Sequence, residues 1–184
     1  LLGIIVFQFN GFVQSAPPAY SELISKINPS PLRDSCHINS YRPPKDSCEY
    51  FEDKHITWAV IGDSHSTEIA YALAEKVDAY GQGIKHFSFS GCKTSFGKPE
   101  GFSPCTRWYN ESVDYILSTD SIENVVIIHR YTKQIVGGDA YEYPGFTNLD
   151  NHTSHLELTK NLDALINTFS KNKKNVYVYY PIPE

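Results

Sequence analysis

The chain has 184 residues, with 16 Lys and Arg against 21 Asp and Glu, and a formal net charge of -5 at pH 7. Its 41% hydrophobic and 14% aromatic content, without any low-complexity block, marks a folding chain and not a disordered one; the length suits one domain that buries roughly two-thirds of its unfolded surface. The mild acidity, with no basic run, argues against nucleic acid as a partner, because that binding needs clustered Lys and Arg to displace counterions.

The sequence opens Leu1-Leu2-Gly3 and contains no Met, and we expect it to be a piece of a longer chain. Leu1 to Val13 is apolar except for Gln8, Asn10 and Gly11. That is short of the roughly 20 residues that cross a bilayer, and it lacks the basic start and small-residue cleavage site of a signal peptide. Residues 1–13 are read as the end of a transmembrane helix, with a buried core segment as the alternative. The composition then shifts, with Pro17-Pro18, Pro29, Pro31 and Pro43-Pro44. Proline at that density forbids long helices and central strands, so residues 14–50 are expected to form an extended linker or wrapping arm ahead of a domain at 51–184.

Four cysteines allow three pairings. Cys36 and Cys48 share a Pro-rich loop, and Cys92 and Cys105 share a Gly- and Pro-containing one. Neither pair has the C-x-x-C spacing of a zinc or redox motif. The sequence-local pairing, Cys36–Cys48 with Cys92–Cys105, closes two small loops worth roughly 3 kcal/mol each in the chain-entropy model. Four buried thiols are the alternative. Disulfides require an oxidising compartment, so this pairing implies a domain outside the cytoplasm.

From Ile56 onward short apolar runs alternate with helical patterns. Ile56–Ile61 is a buried strand, too continuous to have a wet face. Ser66 to Tyr80 repeats Ile69, Leu73, Val77 and Tyr80 at helical spacing, with Gly81 or Gly83 to end it. Ile84–Phe89 is a second strand. Ser103-Pro104 supplies a cap and first-turn proline for a helix carrying Trp108, Val113, Ile116 and Leu117. Asn124–Ile128 is a third strand. Ser154 and Glu157 read as a capping box for a helix with Leu158, Leu162, Leu165 and Phe169 on one face. Asn175–Tyr180 is a fourth strand, followed by Pro181-Ile182-Pro183-Glu184. Strands alternating with helices predict a three-layer α/β/α sandwich around a parallel sheet, incomplete at both ends.

The first strand runs straight into Gly62-Asp63-Ser64-His65-Ser66 and a helix. A turn at the carboxyl end of a parallel strand lifts Ser64 to a helix N-terminus, where free N–H groups and the helix dipole favour a developing anion. Gly62 spares the turn a Cβ. The arrangement suits a serine nucleophile with its own N–H as one oxyanion donor; the plainer reading is a helix cap. Gly-x-Ser-x-Gly is absent, which sets the turn apart from the α/β-hydrolase elbow.

WAVIGDSHSTEIAYAL resembles the first conserved block of the SGNH (GDSL-like) esterases and acyltransferases. More narrowly, the chain is similar to the SGNH domains fused behind an integral-membrane acyltransferase-3 domain in bacterial surface-polysaccharide O-acyltransferases. The Cys36–Cys48 spacing, Ser90-Gly91-Cys92 after the second strand, Cys105 leading a helix, and the final Pro-Ile-Pro-Glu carry the likeness over about Cys36 to Glu184. The resemblance implies Ser64 as the nucleophile, with Asp63 supporting its turn, and the backbone N–H of Gly91 as a second oxyanion donor. The superfamily's Asn after the third strand is replaced by Ile128-His129-Arg130-Tyr131. Arg130 is suited to an oxyanion or a substrate group, and equally to a surface ion pair.

The D-x-x-H of this chain, Asp34-Ser35-Cys36-His37, lies ahead of the first strand and none follows the last one, so the usual base and its orienter are missing from their expected place. His65, His129, His152 and His155 are the internal candidates; neighbouring side chains on a turn diverge, only one of His129 and Arg130 faces the site, and the last two are taken as surface residues of a polar loop. The Asp-x-x-His pair is expected beyond Glu184, and the chain alone is expected to be inactive, because an unassisted serine is a weak nucleophile. The resemblance implies a domain on the periplasmic face of the inner membrane that passes acetyl or other acyl groups to an envelope polysaccharide: a lipopolysaccharide O-antigen, peptidoglycan or an exopolysaccharide. It implies no cofactor or metal in this domain, since the membrane domain supplies the acyl donor. A secreted esterase and a non-catalytic glycan-binding domain are the alternatives, with the 13 Tyr and 2 Trp suiting either sugar stacking or a core.

Overall fold

The computed structural model describes residues 29–51, 53–132 and 152–180, together with Pro17 and Glu22. The chain divides into two compact units, Leu1–Ser30 and Pro31–Glu184. The segment read as a membrane-helix end, residues 1–13, lies outside the described residues, as does Pro181–Glu184. Among the described residues no helix is long and apolar enough to cross a membrane.

The second unit is an α/β sandwich. In chain order it contains α1 (Arg33–Cys36), β1 (Cys48–Tyr50), β2 (His55–Gly62), α2 (Ser66–Asp78), β3 (Gln82–Ser88), α3 (Thr106–Ser118), β4 (Asn124–Ile128), α4 (His152–Lys171) and β5 (Asn175–Tyr179). The five strands form one sheet ordered β1-β3-β2-β4-β5. The four strands expected from the apolar runs are parallel to their neighbours, while β1 pairs antiparallel with β3 at the edge. That short strand falls in the Pro-rich stretch, where three residues offer too little periodicity to be seen.

Two cores flank the sheet. On one face Trp108, Tyr109, Val113 and Ile116 of α3 and Leu165 and Phe169 of α4 pack on Ile61, Phe87, Val125 and Ile127. On the other, Ala70, Ala74 and Val77 of α2 pack on Val60, Ile84 and Ile128. The α2 core face therefore differs from the expected stripe. Ile69 and Leu73 are only partly buried and Tyr80 is 82% exposed, because small alanines let the helix approach the sheet closely. Gly81, at φ +71°, ends the helical segment in the left-handed conformation that glycine adopts without strain.

Both disulfides of the sequence-local pairing are formed. Cys36–Cys48 spans 5.3 Å between Cα atoms and Cys92–Cys105 spans 5.8 Å. The first fastens α1 to β1; the second closes the loop between β3 and α3. The expected cap of α3 is displaced: the helix begins at Thr106 with Cys105 at its N-cap and no side-chain cap, and Ser103 and Pro104 lie in the turn before it, where Thr106 Oγ1 accepts the Ser103 N–H at 3.0 Å. The start of α4 is different. It begins at His152, so Ser154 lies within the helix and the Ser154–Glu157 capping box is not what opens it; Glu157 instead pairs with Lys98 at 3.4 Å.

Candidate active site at the carboxyl edge of the sheet

β2 is the central strand, and its last residue faces Ser88 of β3 on one side and Ile128 of β4 on the other. The residues that follow these three strands converge on one edge. Connections leave β2 toward β3 and then cross back to β4, which makes this edge the switch point where α/β sheets open a crevice. Only glycine fits at the end of β2, since a Cβ on Gly62 would collide with the Ile128 carbonyl oxygen.

Asp63 follows and is 3% exposed. Its carboxylate accepts two backbone N–H groups, from His65 at 2.9 Å and from Arg130 at 2.8 Å. The first bond shapes the turn and the second ties that turn to the chain leaving β4. Ser64 is half-buried at the tip, two residues before α2 begins. The Asp63 carbonyl accepts the Ser66 N–H at 3.0 Å and the Ser66 hydroxyl at 2.7 Å. Sequence placed Ser64 and Asp63 on this turn, and the structure does the same.

Gly91 sits at the next strand end, exposed and at φ +61°, in a turn closed by the Cys92 N–H on the Phe89 carbonyl at 3.1 Å. Arg130 follows β4 and is half-buried. Ser64, Gly91 and Arg130 thus leave the carboxyl ends of three adjacent strands.

The histidines divide differently from the sequence expectation. His129 is wholly buried, with Nδ1 3.1 Å from the Cys92 carbonyl and Nε2 3.2 Å from the Tyr109 hydroxyl. Both ring nitrogens are engaged, and burial holds its pKa below the ordinary value against the pull of the Asp63 carboxylate. It acts as a brace between β4 and the second disulfide loop. His65 turns back on its neighbour, Nδ1 lying 3.3 Å from Asp63 Oδ1. His152 and His155 belong to α4 and not to a loop; their side chains lie outside the described residues. Among the described residues no histidine hydrogen-bonds the Ser64 hydroxyl.

Two further histidines matter that the motif search passed over. His86 on β3 is fully buried, its Nε2 2.9 Å from Ser66 Oγ and its Nδ1 3.0 Å from the Tyr50 hydroxyl. Burial, with His37 adding to it, depresses its pKa to about 3. His37, in the loop closed by Cys36–Cys48, places Nδ1 2.8 Å from Ser88 Oγ. The available signal was the polar content of β3: Lys85, His86 and Ser88 are all buried within one strand, and buried polar groups need partners. Lys85 answers the same demand, reaching the Lys45 carbonyl at 2.9 Å and Glu49 at 2.7 Å.

A protein-family model described as the SGNH domain fused to AT3 (acyltransferase-3) domains matches residues 35–184. The chain belongs to this family. No curated protein matches it. The SGNH match starts just before Cys36 and takes in every element of the sandwich from the first disulfide onward, so β1 and the loop it closes are part of the SGNH domain. The two disulfides and the α/β sandwich of the sequence reading stand in the SGNH domain as observed structure.

Proposed function

We propose that this SGNH domain carries out serine-dependent acyl transfer, as the extracytoplasmic part of a membrane-bound O-acyltransferase. The observation that carries the reading is the Ser64 turn: a half-buried serine at a helix N-terminus, on the central strand's carboxyl end, braced by a buried carboxylate. In this mechanism Ser64 Oγ attacks an acyl carbonyl, and the Ser64 and Gly91 N–H groups receive the oxyanion. The acyl-serine is then resolved by a sugar hydroxyl, which regenerates Ser64. Arg130 leaves β4 beside the turn and is assigned to the oxyanion or the acceptor. The base that takes the serine proton comes from outside the described side chains, since His129 is braced on both nitrogens.

Two disulfides fit an oxidising compartment, which supports a periplasmic domain joined to an acyltransferase-3 membrane domain in the same full-length chain. The acceptor is a cell-envelope polysaccharide, and the domain itself uses no cofactor, the acyl group arriving through the membrane domain. The test is transfer of labelled acetyl groups to purified envelope polysaccharide by the full-length membrane protein. Wild type labels the glycan and Ser64→Ala does not. Release of free acetate without glycan labelling would make the protein an esterase, and labelling that survives Ser64→Ala would remove the nucleophile from the reading.

A further inference from the structure

The peptide between Asp63 and Ser64 has two ends with different duties. Its nitrogen is the oxyanion donor of the proposed mechanism; its carbonyl is gripped by three donors. These are the Ser66 N–H at 3.0 Å, the Ser66 hydroxyl at 2.7 Å and the Ser88 hydroxyl at 3.2 Å. A peptide unit is planar, with its C=O and N–H pointing oppositely, so fixing one end aims the other. Hydrogen bonds on the carbonyl also polarise the unit and strengthen its N–H as a donor.

Each hydroxyl has one proton to give. With the Ser66 and Ser88 protons committed to the Asp63 carbonyl, each oxygen must itself receive a donor. An imidazole stands at each: His86 Nε2 at 2.9 Å from Ser66 Oγ, and His37 Nδ1 at 2.8 Å from Ser88 Oγ. The Tyr50 hydroxyl, 3.0 Å from His86 Nδ1, completes the first relay by donating to the remaining nitrogen. Ser66, Ser88 and His86 are each at most 2% exposed, so water does not compete for these bonds.

The His37 relay has a further reach. Ile38, next in the chain, bridges to Phe89 in parallel register. Its N–H donates to the Ser88 carbonyl at 3.2 Å, and its carbonyl accepts the Ser90 N–H at 2.7 Å, one residue before Gly91. One dipeptide of the Cys36–Cys48 loop therefore touches the supports of both oxyanion donors.

We propose that Ser88 is a positioning residue that aims the Ser64 N–H through the Asp63 carbonyl, and that His37, held by the first disulfide loop, sets Ser88 for that task. The inference rests on the reading of Ser64 as nucleophile with its own N–H in the oxyanion hole. Two measurements separate them. The first is the residual dipolar coupling of the Ser64 amide in the 184-residue chain, which reports the direction of that N–H whatever the protein catalyses. It changes in Ser88→Ala and in His37→Ala, and returns to the wild-type value in His37→Asn, whose side-chain amide replaces the Nδ1–H donor.

The second is acetyl transfer by the full-length membrane protein. There kcat falls about tenfold in Ser88→Ala with KM unchanged, a fraction of the 10²–10³ that deleting an oxyanion donor costs. An unchanged Ser64 coupling in a folded Ser88→Ala protein overturns the proposal. So does an equal change in His37→Ala and His37→Asn, since ring packing would then be the cause; this pair also decides the matter if Ser88→Ala does not fold. Acetyl transfer that persists in Ser64→Ala sinks the nucleophile reading alone, and the amide coupling still judges the relay.

Discussion

Replacing Asp63 by Asn removes one negative charge and almost no volume, so its effect isolates what the carboxylate does. The wild-type side chain is 3% exposed and accepts the His65 and Arg130 N–H groups, one on each oxygen. Hydrogen bonds to a charged acceptor contribute about 1.5–3 kcal/mol each, and an N–H left buried and unpaired costs about 1–3 kcal/mol. Asn keeps one acceptor oxygen and turns a donor NH₂ toward the second N–H, so one bond is lost and two donors face each other. The expected loss is about 3 kcal/mol, a large share of the roughly 5–15 kcal/mol that holds a domain folded. With a urea slope of about 2 kcal/mol/M, the midpoint falls by about 1.5 M. The assay is urea unfolding at pH 7 followed by tryptophan fluorescence, with Trp108 buried in the core as the reporter. Ser64→Ala is the control, at the same turn but with no hydrogen bond from another described residue to its hydroxyl; it stays within about 0.5 kcal/mol. An Asp63→Asn midpoint within about 0.5 M of wild type would refute the reasoning, because the carboxylate would then not be the clamp between the turn and β4.

Gly62→Ala drives a Cβ into the Ile128 carbonyl, a backbone atom that cannot step aside; a cost of about 3 kcal/mol lowers Tm by roughly 10 °C, and an unchanged melt contradicts the close approach. Acid weakens the fold through His86. The unfolded chain takes up its proton below the ordinary value of 6.5, whereas the folded protein refuses it until about 3, so stability falls as pH drops through that window. The slope reaches about 1.4 kcal/mol per pH unit from this group, with His37 and His129 shifted in the same direction. Denaturation midpoints that stay level from the upper to the lower end of that window would count against a neutral buried His86. Replacing both Cys92 and Cys105 by Ser costs about 3 kcal/mol by the loop-entropy estimate. The native protein reacts with no thiol reagent, and any titrated thiol contradicts the paired cysteines.

The strands β2 and β4 were legible because each is a short apolar run buried on both faces, whereas β5 alternates, with Tyr177 and Tyr179 exposed. Val125, Ile127 and Ile128 are all fully buried, and such a run leaves no other reading. Helix faces were less legible. In α2 the sheet contact is made by Ala70 and Ala74, whose small size is the reason for the contact and also the reason a hydrophobic stripe overlooks them. The turn proposed to carry the nucleophile was visible in Gly62-Asp63-Ser64, where every residue has a local reason to be present. Its supports were not. His37 and His86 reach the turn only through Ser88 and Ser66, contacts spanning 51 and 20 residues of sequence. No spacing rule encodes them, because the sheet register brings them together.

The Asp63 carboxylate accepts the main-chain N–H groups of residues 65 and 130, and the His65 ring stands 3.3 Å from the same carboxylate. Those two backbone bonds persist whichever side chains positions 65 and 130 carry, so long as neither is proline. Side-chain changes at Arg130 therefore leave the carboxylate clamp on the turn in place, and what they alter is the surface the half-buried side chain presents beside Ser64.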